Sequence, residues 1–286
     1  MIPASFEYTR ATSLDDAIAR LQAANGNAKI IAGGHSLVPL MKFRLSEPQT
    51  IIDIARIPGL SGVREKEGKI EIGAATVHND VASSSLLLSK CPIVADTAAE
   101  IGDPQVRNRG TLGGSLAHAD PSADYPAVML AVDAEIHMKG PKGWRVARAD
   151  QFFRDLFTVD MAPDEIIVGV QFAPVRAAAY AKLQQRASRY AIVGVAAALQ
   201  VSDGKIQSAR IGLTGAANHA MRLTSVERAL AAQPLTPVVI EAAARHAGAE
   251  VTHVLSDIHA GGEYRRAMIS VFTRRALEGA MRRVYA

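Results

Sequence analysis

The chain has 286 residues, 49% of them hydrophobic and 21% charged, a composition that builds a packed core rather than a disordered chain. Its 32 basic and 28 acidic side chains are interspersed and leave a net charge of only +4, so the sequence carries no footprint of a nucleic-acid partner. Cys91 is the only cysteine, which excludes an intrachain disulfide and leaves too few thiolates for an iron–sulfur cluster held by this chain alone.

The opening, Met1 to Glu7, has no basic segment followed by an apolar run, so it does not read as a signal peptide. No stretch approaches the roughly 18 apolar residues of a membrane span, and a cytoplasmic protein without a transmembrane segment is expected. Ser13 followed by Asp15 and Asp16 predicts a capped helix start, and Leu14, Ala17, Ile18 and Leu21 recur at helical spacing until Asn25-Gly26. Lys29 to Ala32 predicts a buried strand that runs into Gly33-Gly34, and Thr50 to Ile54 a second one, so the start reads as a βαβ-like unit. Gly68 to Gly73 alternates as a strand with one solvated face. Helices are predicted over 94–101 and 125–132, strands over 134–138 and 165–172. The pattern changes after Ala173-Pro174-Val175-Arg176. Strands 191–201 and 206–214 then flank Ser202-Asp203-Gly204-Lys205, a hairpin signal. Helices follow over 223–232, 237–250 and from Glu263 onward. No internal repeat or low-complexity tract is present.

Two glycine motifs carry the chemistry. In Ala32-Gly33-Gly34-His35-Ser36, paired glycines after a strand let the backbone turn sharply, so that successive N–H groups converge on an anion. Alone, the motif reads as an ordinary tight turn, because a glycine pair is common. The second motif, Arg107 to Ser115, again sets a glycine pair, Gly113-Gly114, between hydroxyl residues, Thr111 and Ser115. Asp120-Pro121-Ser122-Ala123-Asp124 follows. A carboxylate there reads either as a helix cap or as a ribose ligand; the cap is the reading for Asp120. The chain has neither the phosphate-loop pattern G-x-x-x-x-G-K-[ST] nor a G-x-G-x-x-G turn, and two separate loops suit a diphosphate gripped from both sides.

Together these motifs resemble the FAD-binding medium subunits of molybdenum hydroxylases, the carbon monoxide dehydrogenase and xanthine dehydrogenase family. The first FAD loop is matched by Ala32-Gly33-Gly34-His35-Ser36-Leu37 and its continuation to Lys42. The second is matched by Gly110-Thr111-Leu112-Gly113-Gly114-Ser115 through Asp124. The resemblance extends from Ile2 to the Glu263-Tyr264-Arg265-Arg266 segment. It implies an α+β fold with a PCMH/VAO-type FAD-binding domain over residues 1–176, in subdomains of about 1–57 and 58–176. A C-terminal flavoprotein domain of three strands plus helices would occupy residues 177–286. It implies that Ala32, Gly33, Gly34, His35, Ser36 and Leu37, with Thr111, Gly113, Gly114 and Ser115, hold the pyrophosphate of FAD. Asp124 would sit at the ribose side, Lys182 near the flavin ring and Tyr190 against it. Many relatives have asparagine where this chain has Ser115, so a contact there runs through water.

The resemblance also implies partners: a large molybdopterin-binding subunit and a small subunit with [2Fe–2S] clusters, in a dimer of heterotrimers. Electrons would pass from those clusters to the flavin and on to an external acceptor. No residue of this chain is assigned a catalytic proton transfer, and no metal site is expected. For Lys182 the alternative is a solvated lysine on an edge strand, and for Tyr190 it is core packing. A free-standing flavin oxidoreductase of the same fold, acting on its own small substrate, is the alternative function. His246, His253 and His259 lack metal-ligand spacing, and the arginine pairs from Arg265 to Arg283 read as the solvated face of an amphipathic helix.

Overall fold

In the computed structural model, which describes residues 1–285, three main sheets follow one another along the chain, with a small two-stranded ribbon, Phe153–Asp155 and Thr158–Val159, beside the second. The first is parallel, with strands Glu7–Arg10, Thr50–Asp53 and Ala28–Ile31 side by side in that order. Helix Leu14–Ala23 covers it. Ser13 accepts the amide of Asp16 at 3.1 Å, the expected cap, and Ala17, Ile18 and Leu21 are buried. They pack with Ile52, Ile54, Ile57 and Leu60 into a small separate core. The edge strand Glu7–Arg10 was not expected, because Glu-Tyr-Thr-Arg is mostly exposed and has no apolar run.

The second sheet is antiparallel, with strands Val63–Lys66, Lys69–Gly73, Ile166–Phe172, Glu135–Gly140 and Gly143–Arg148 in spatial order. Helices Pro92–Glu100 and Asp124–Ala131 fill its core, the latter buried along its whole length.

The third sheet corrects the expectation of three strands. Its order is Ala178–Gln184, Ala191–Ser202, Lys205–Thr214 and Met221–Arg222, and the fourth strand is too short to leave a sequence pattern. The long helix Gly262–Val284 packs on one face. Strand Ala191–Ser202 is buried on both faces, and its alternation decides which core each residue joins. Val193, Val195, Ala197 and Leu199 enter the C-terminal core, whereas Ala196 and Ala198 face the core of the second sheet. Small residues on that face let helix Asp124–Ala131 approach closely. At Gly212 a Cβ would stand 2.1 Å from the carbonyl oxygen of Ala127. The helix expected over 237–250 stops at Ala244, and the residues after it form turns.

Candidate functional site

Strand Ala28–Ile31 ends in the first glycine loop, and helix Leu37–Lys42 begins at its far end. Gly34 has φ +75°, the left-handed conformation that glycine adopts without strain. The backbone N–H groups of Gly33, Gly34, His35, Ser36 and Leu37 donate to no protein acceptor among the described residues. Five successive backbone donors without a protein acceptor are the kind of stretch that backbone nests use to receive an anion. His35 turns its Nδ1 toward the Gly33 carbonyl at 3.3 Å.

The second loop touches the first. A Cβ on Gly33 would stand 2.2 Å from the Arg109 carbonyl oxygen and 2.8 Å from the Gly110 Cα, so the two backbones meet with no side chain between them. Here the structure refines the idea of backbone donors on both sides. The amide of Leu112 bonds the Thr76 carbonyl at 3.0 Å and that of Gly113 the Ala74 carbonyl at 2.8 Å. The amide of Gly114 bonds the Thr111 hydroxyl oxygen at 3.1 Å, and that of Ser115 the Thr111 carbonyl at 3.0 Å. The second loop therefore spends these donors on its own fold and presents the half-buried Ser115 and the exposed Gly114 to its surroundings, while Thr111 is buried. Gly113 is a packing requirement, since a Cβ there would lie 2.5 Å from that of Ala74.

His78, which sequence reasoning did not single out, supports this loop from behind. Its amide donates to the Gly110 carbonyl at 2.9 Å, and its Nε2 would lie 2.6 Å from a Cβ on Gly110. Burial, aided by the charges of His35 and Arg107, lowers its pKa to about 4, so the ring is neutral at pH 7. The ring of Tyr125 lies 5.3 Å away.

The Asp120–Asp124 segment ties the loops to the third sheet. Asp120 accepts the Ser122 amide at 2.8 Å; it closes a turn rather than capping the helix, whose N-cap is Ala123. The Thr214 hydroxyl bonds the carbonyl oxygens of Pro121 and Ala123, both at 2.8 Å, and the Ala191 amide bonds that of Ser122 at 3.1 Å.

Asp124 is enclosed. Its carboxylate accepts the Tyr180 hydroxyl at 2.5 Å and the Lys182 ammonium at 3.0 and 3.1 Å. Burial pushes the Asp124 carboxyl up, and the Lys182 charge and the Tyr180 hydrogen bond pull it back. Lys182 lies on the edge strand Ala178–Gln184, but its side chain is only 1% exposed, which overturns the solvated alternative. Its third contact is the Glu100 carbonyl at 3.1 Å.

Tyr190 is 43% exposed, which rules out core packing. It borders a cleft of about 200 Å³ with Asp120, Ser122 and Gln185. Partial burial and the carboxylates of Asp120 and Asp124 push its phenol up to about 12. Arg265, expected on a solvated face, is instead 2% exposed. It donates to the carbonyls of Ile192 at 2.7 Å, Gly215 at 2.6 Å and Ala260 at 3.3 Å, and pairs with Asp257 at 2.6 Å. Its burial fixes the start of the strand that follows Tyr190.

A doubled glycine loop beside a buried ion pair and a half-exposed tyrosine, spanning two α+β parts, fits a flavoprotein that clasps a dinucleotide. Comparison with known proteins identifies the kind. Residues 4–174 match the FAD-binding domain in molybdopterin dehydrogenase, and residues 178–280 match the carbon monoxide dehydrogenase flavoprotein C-terminal domain. The carbon monoxide dehydrogenase medium chain of Hydrogenophaga pseudoflava is 38% identical over 286 residues, covering 99% of both chains. The xanthine dehydrogenase FAD-binding subunit of Escherichia coli O157:H7 is 28% identical, covering 96% of this chain and 95% of its own. Among solved structures, carbon monoxide dehydrogenase from Hydrogenophaga pseudoflava superposes with a TM-score of 0.95 at 39% identity, covering 99% of both chains. Quinoline 2-oxidoreductase from Pseudomonas putida 86 gives 0.92 at 30% identity, with 99% of both chains covered. The chain belongs to the family of FAD-binding medium subunits of molybdenum hydroxylases, and FAD is its cofactor.

Proposed function

We propose that this chain is the electron-transfer subunit of a multi-subunit molybdenum hydroxylase, receiving electrons from [2Fe–2S] clusters on a small partner and passing them to an external acceptor. A large molybdopterin-binding subunit completes the complex, as a dimer of heterotrimers. The flavin supplies the redox chemistry when bound; the protein's part is to hold, orient and tune it. The observation that carries this reading is the nest of five free N–H groups from Gly33 to Leu37, lying against the second glycine loop. A pyrophosphate satisfies those donors without lysine side chains. In this reading Ala32 to Leu37 grip the diphosphate, the Ser115 hydroxyl reaches it from the other side past Gly114, and the buried Thr111 and Gly113 shape that wall. Asp124 lies at the ribose side and Lys182 near the flavin ring, and Tyr190 packs on the ring. The only cysteine, Cys91, is buried, which agrees with clusters carried by another subunit. The names of the relatives agree as well: they are medium chains or FAD-binding subunits.

The test is purification from the native host under mild conditions. The reading expects about one FAD per chain and co-elution with a large and a small subunit, and reduction of the flavin only when the small subunit is present. A lone chain that reduces its flavin with a small substrate of its own would replace this reading with the free-standing oxidoreductase.

A further inference from the structure

The Asp124–Lys182 pair is almost wholly withdrawn from water, with side chains 6% and 1% exposed. It also joins two parts of the molecule: Asp124 opens the helix of the second core, and Lys182 lies on the third sheet. The Lys182 ammonium has three acceptors in reach, both Asp124 oxygens and the Glu100 carbonyl, so its position is fixed. Tyr180 adds a donor to the same carboxylate, and Gly194 makes room for it, since a Cβ there would lie 2.2 Å from the Tyr180 hydroxyl. The surrounding charges are few. Asp96 on helix Pro92–Glu100 is bonded by Arg283 of the terminal helix, and the Glu100 carboxyl, pushed up chiefly by burial, takes no side-chain partner among the described residues. In a medium this poorly screened, a uniform change in the pair's charge reaches further than it would in water.

We propose that Asp124 is the positioning residue and counter-charge of Lys182, and that the net charge of this buried pair sets the reduction potential of the bound flavin. The inference rests on the flavin reading above and goes beyond it: Asp124 acts through Lys182 rather than as a ribose ligand. As folded, the pair sums to zero. Asp124→Asn keeps the shape and leaves a net positive charge, which favours the electron-rich reduced flavin. Lys182→Met leaves a net negative charge, which opposes it. The double variant returns to zero.

The test is spectroelectrochemical titration of the FAD-loaded protein at neutral and again at alkaline pH, so that the single charge left in each variant is sampled in its ionised form. Asp124→Asn should raise the potential, with the two-electron reduction equilibrium shifted at least tenfold, about 30 mV. Lys182→Met should lower it by a similar factor, and the double variant should lie close to the wild type. A purely structural role does not produce shifts of opposite sign that cancel. The double variant is the safeguard against misfolding, since replacing a buried ion pair by neutral groups is commonly tolerated whereas breaking it is not; the wild type, Asp124→Asn and the double variant alone decide the sign. Unchanged potentials, shifts of the same sign, or loss of FAD from Asp124→Asn with the potential of the residual flavin unmoved overturn the proposal and leave the FAD reading standing. Wild-type protein without flavin sinks both.

Discussion

Gly33 meets Gly110 backbone to backbone: a Cβ added to Gly33 would stand 2.8 Å from the Gly110 Cα and 2.2 Å from the preceding carbonyl oxygen. Glycine is required here for space, not for its dihedral freedom, which is used one residue later at Gly34.

Substitution at this contact therefore separates cradle from core. Gly33→Val forces the two loops apart and should reduce FAD retention at least tenfold, at a folding cost of about 1–3 kcal/mol for overpacking. Gly113→Ala collides instead with Ala74, and Ala74→Gly in the same chain should restore part of the lost stability. The flavin-to-protein absorbance ratio and urea unfolding read the two effects. Full flavin occupancy in Gly33→Val would show that the cradle lies elsewhere.

His78 gives the fold a pH dependence with a defined sign. Its pKa is about 4 in the folded chain, below the reference of 6.5, so the unfolded chain binds the extra proton. Stability from this group is fully present above about pH 6.5 and is lost as the pH falls toward 4. At about 1.4 kcal/mol per unit, the loss at pH 5 is roughly 2 kcal/mol. Urea unfolding of the wild type and His78→Phe at pH 7.5 and 5 should show a smaller pH loss in the variant. Equal losses in the two proteins would remove His78 as the cause.

Arg265 should be one of the most costly surface-helix arginines to replace. Arg265→Met leaves the carbonyls of Ile192, Gly215 and Ala260 without their donor, a penalty of roughly 3 kcal/mol or more. Arg266→Met, which removes a single exposed bond to the Gly248 carbonyl, should cost well under 1 kcal/mol. Thermal unfolding of the two variants side by side tests the contrast, and comparable midpoints would contradict it.

The parts legible in the sequence were those with local signals. Ser13 announced its helix because capping is a contact between near neighbours, and the 202–205 turn announced its hairpin for the same reason. The glycine pairs showed that two loops matter. Nothing local showed that the second loop spends the amides of Leu112 and Gly113, because their acceptors, Thr76 and Ala74, lie on another segment; those of Gly114 and Ser115 go to Thr111 within the loop. Arg265 looked solvated because arginine pairs recur along its helix; its burial is made tolerable by the carbonyls of Ile192, Gly215 and Ala260 and by Asp257, of which Ile192 and Gly215 come from the third sheet and the loop after it. Lys182 could be placed on an edge strand but not behind it, since the enclosure comes from Asp124 and Glu100 across the boundary between cores.

The loop from Gly33 to Leu37 lies against the backbone of Arg109 and Gly110, residues far along the chain. A nascent chain that has folded only its first sheet therefore has the donors but not the wall opposite them. Tight retention of the cofactor is therefore expected only once both segments have folded, and the chain is expected to gain stability when a dinucleotide satisfies those amides.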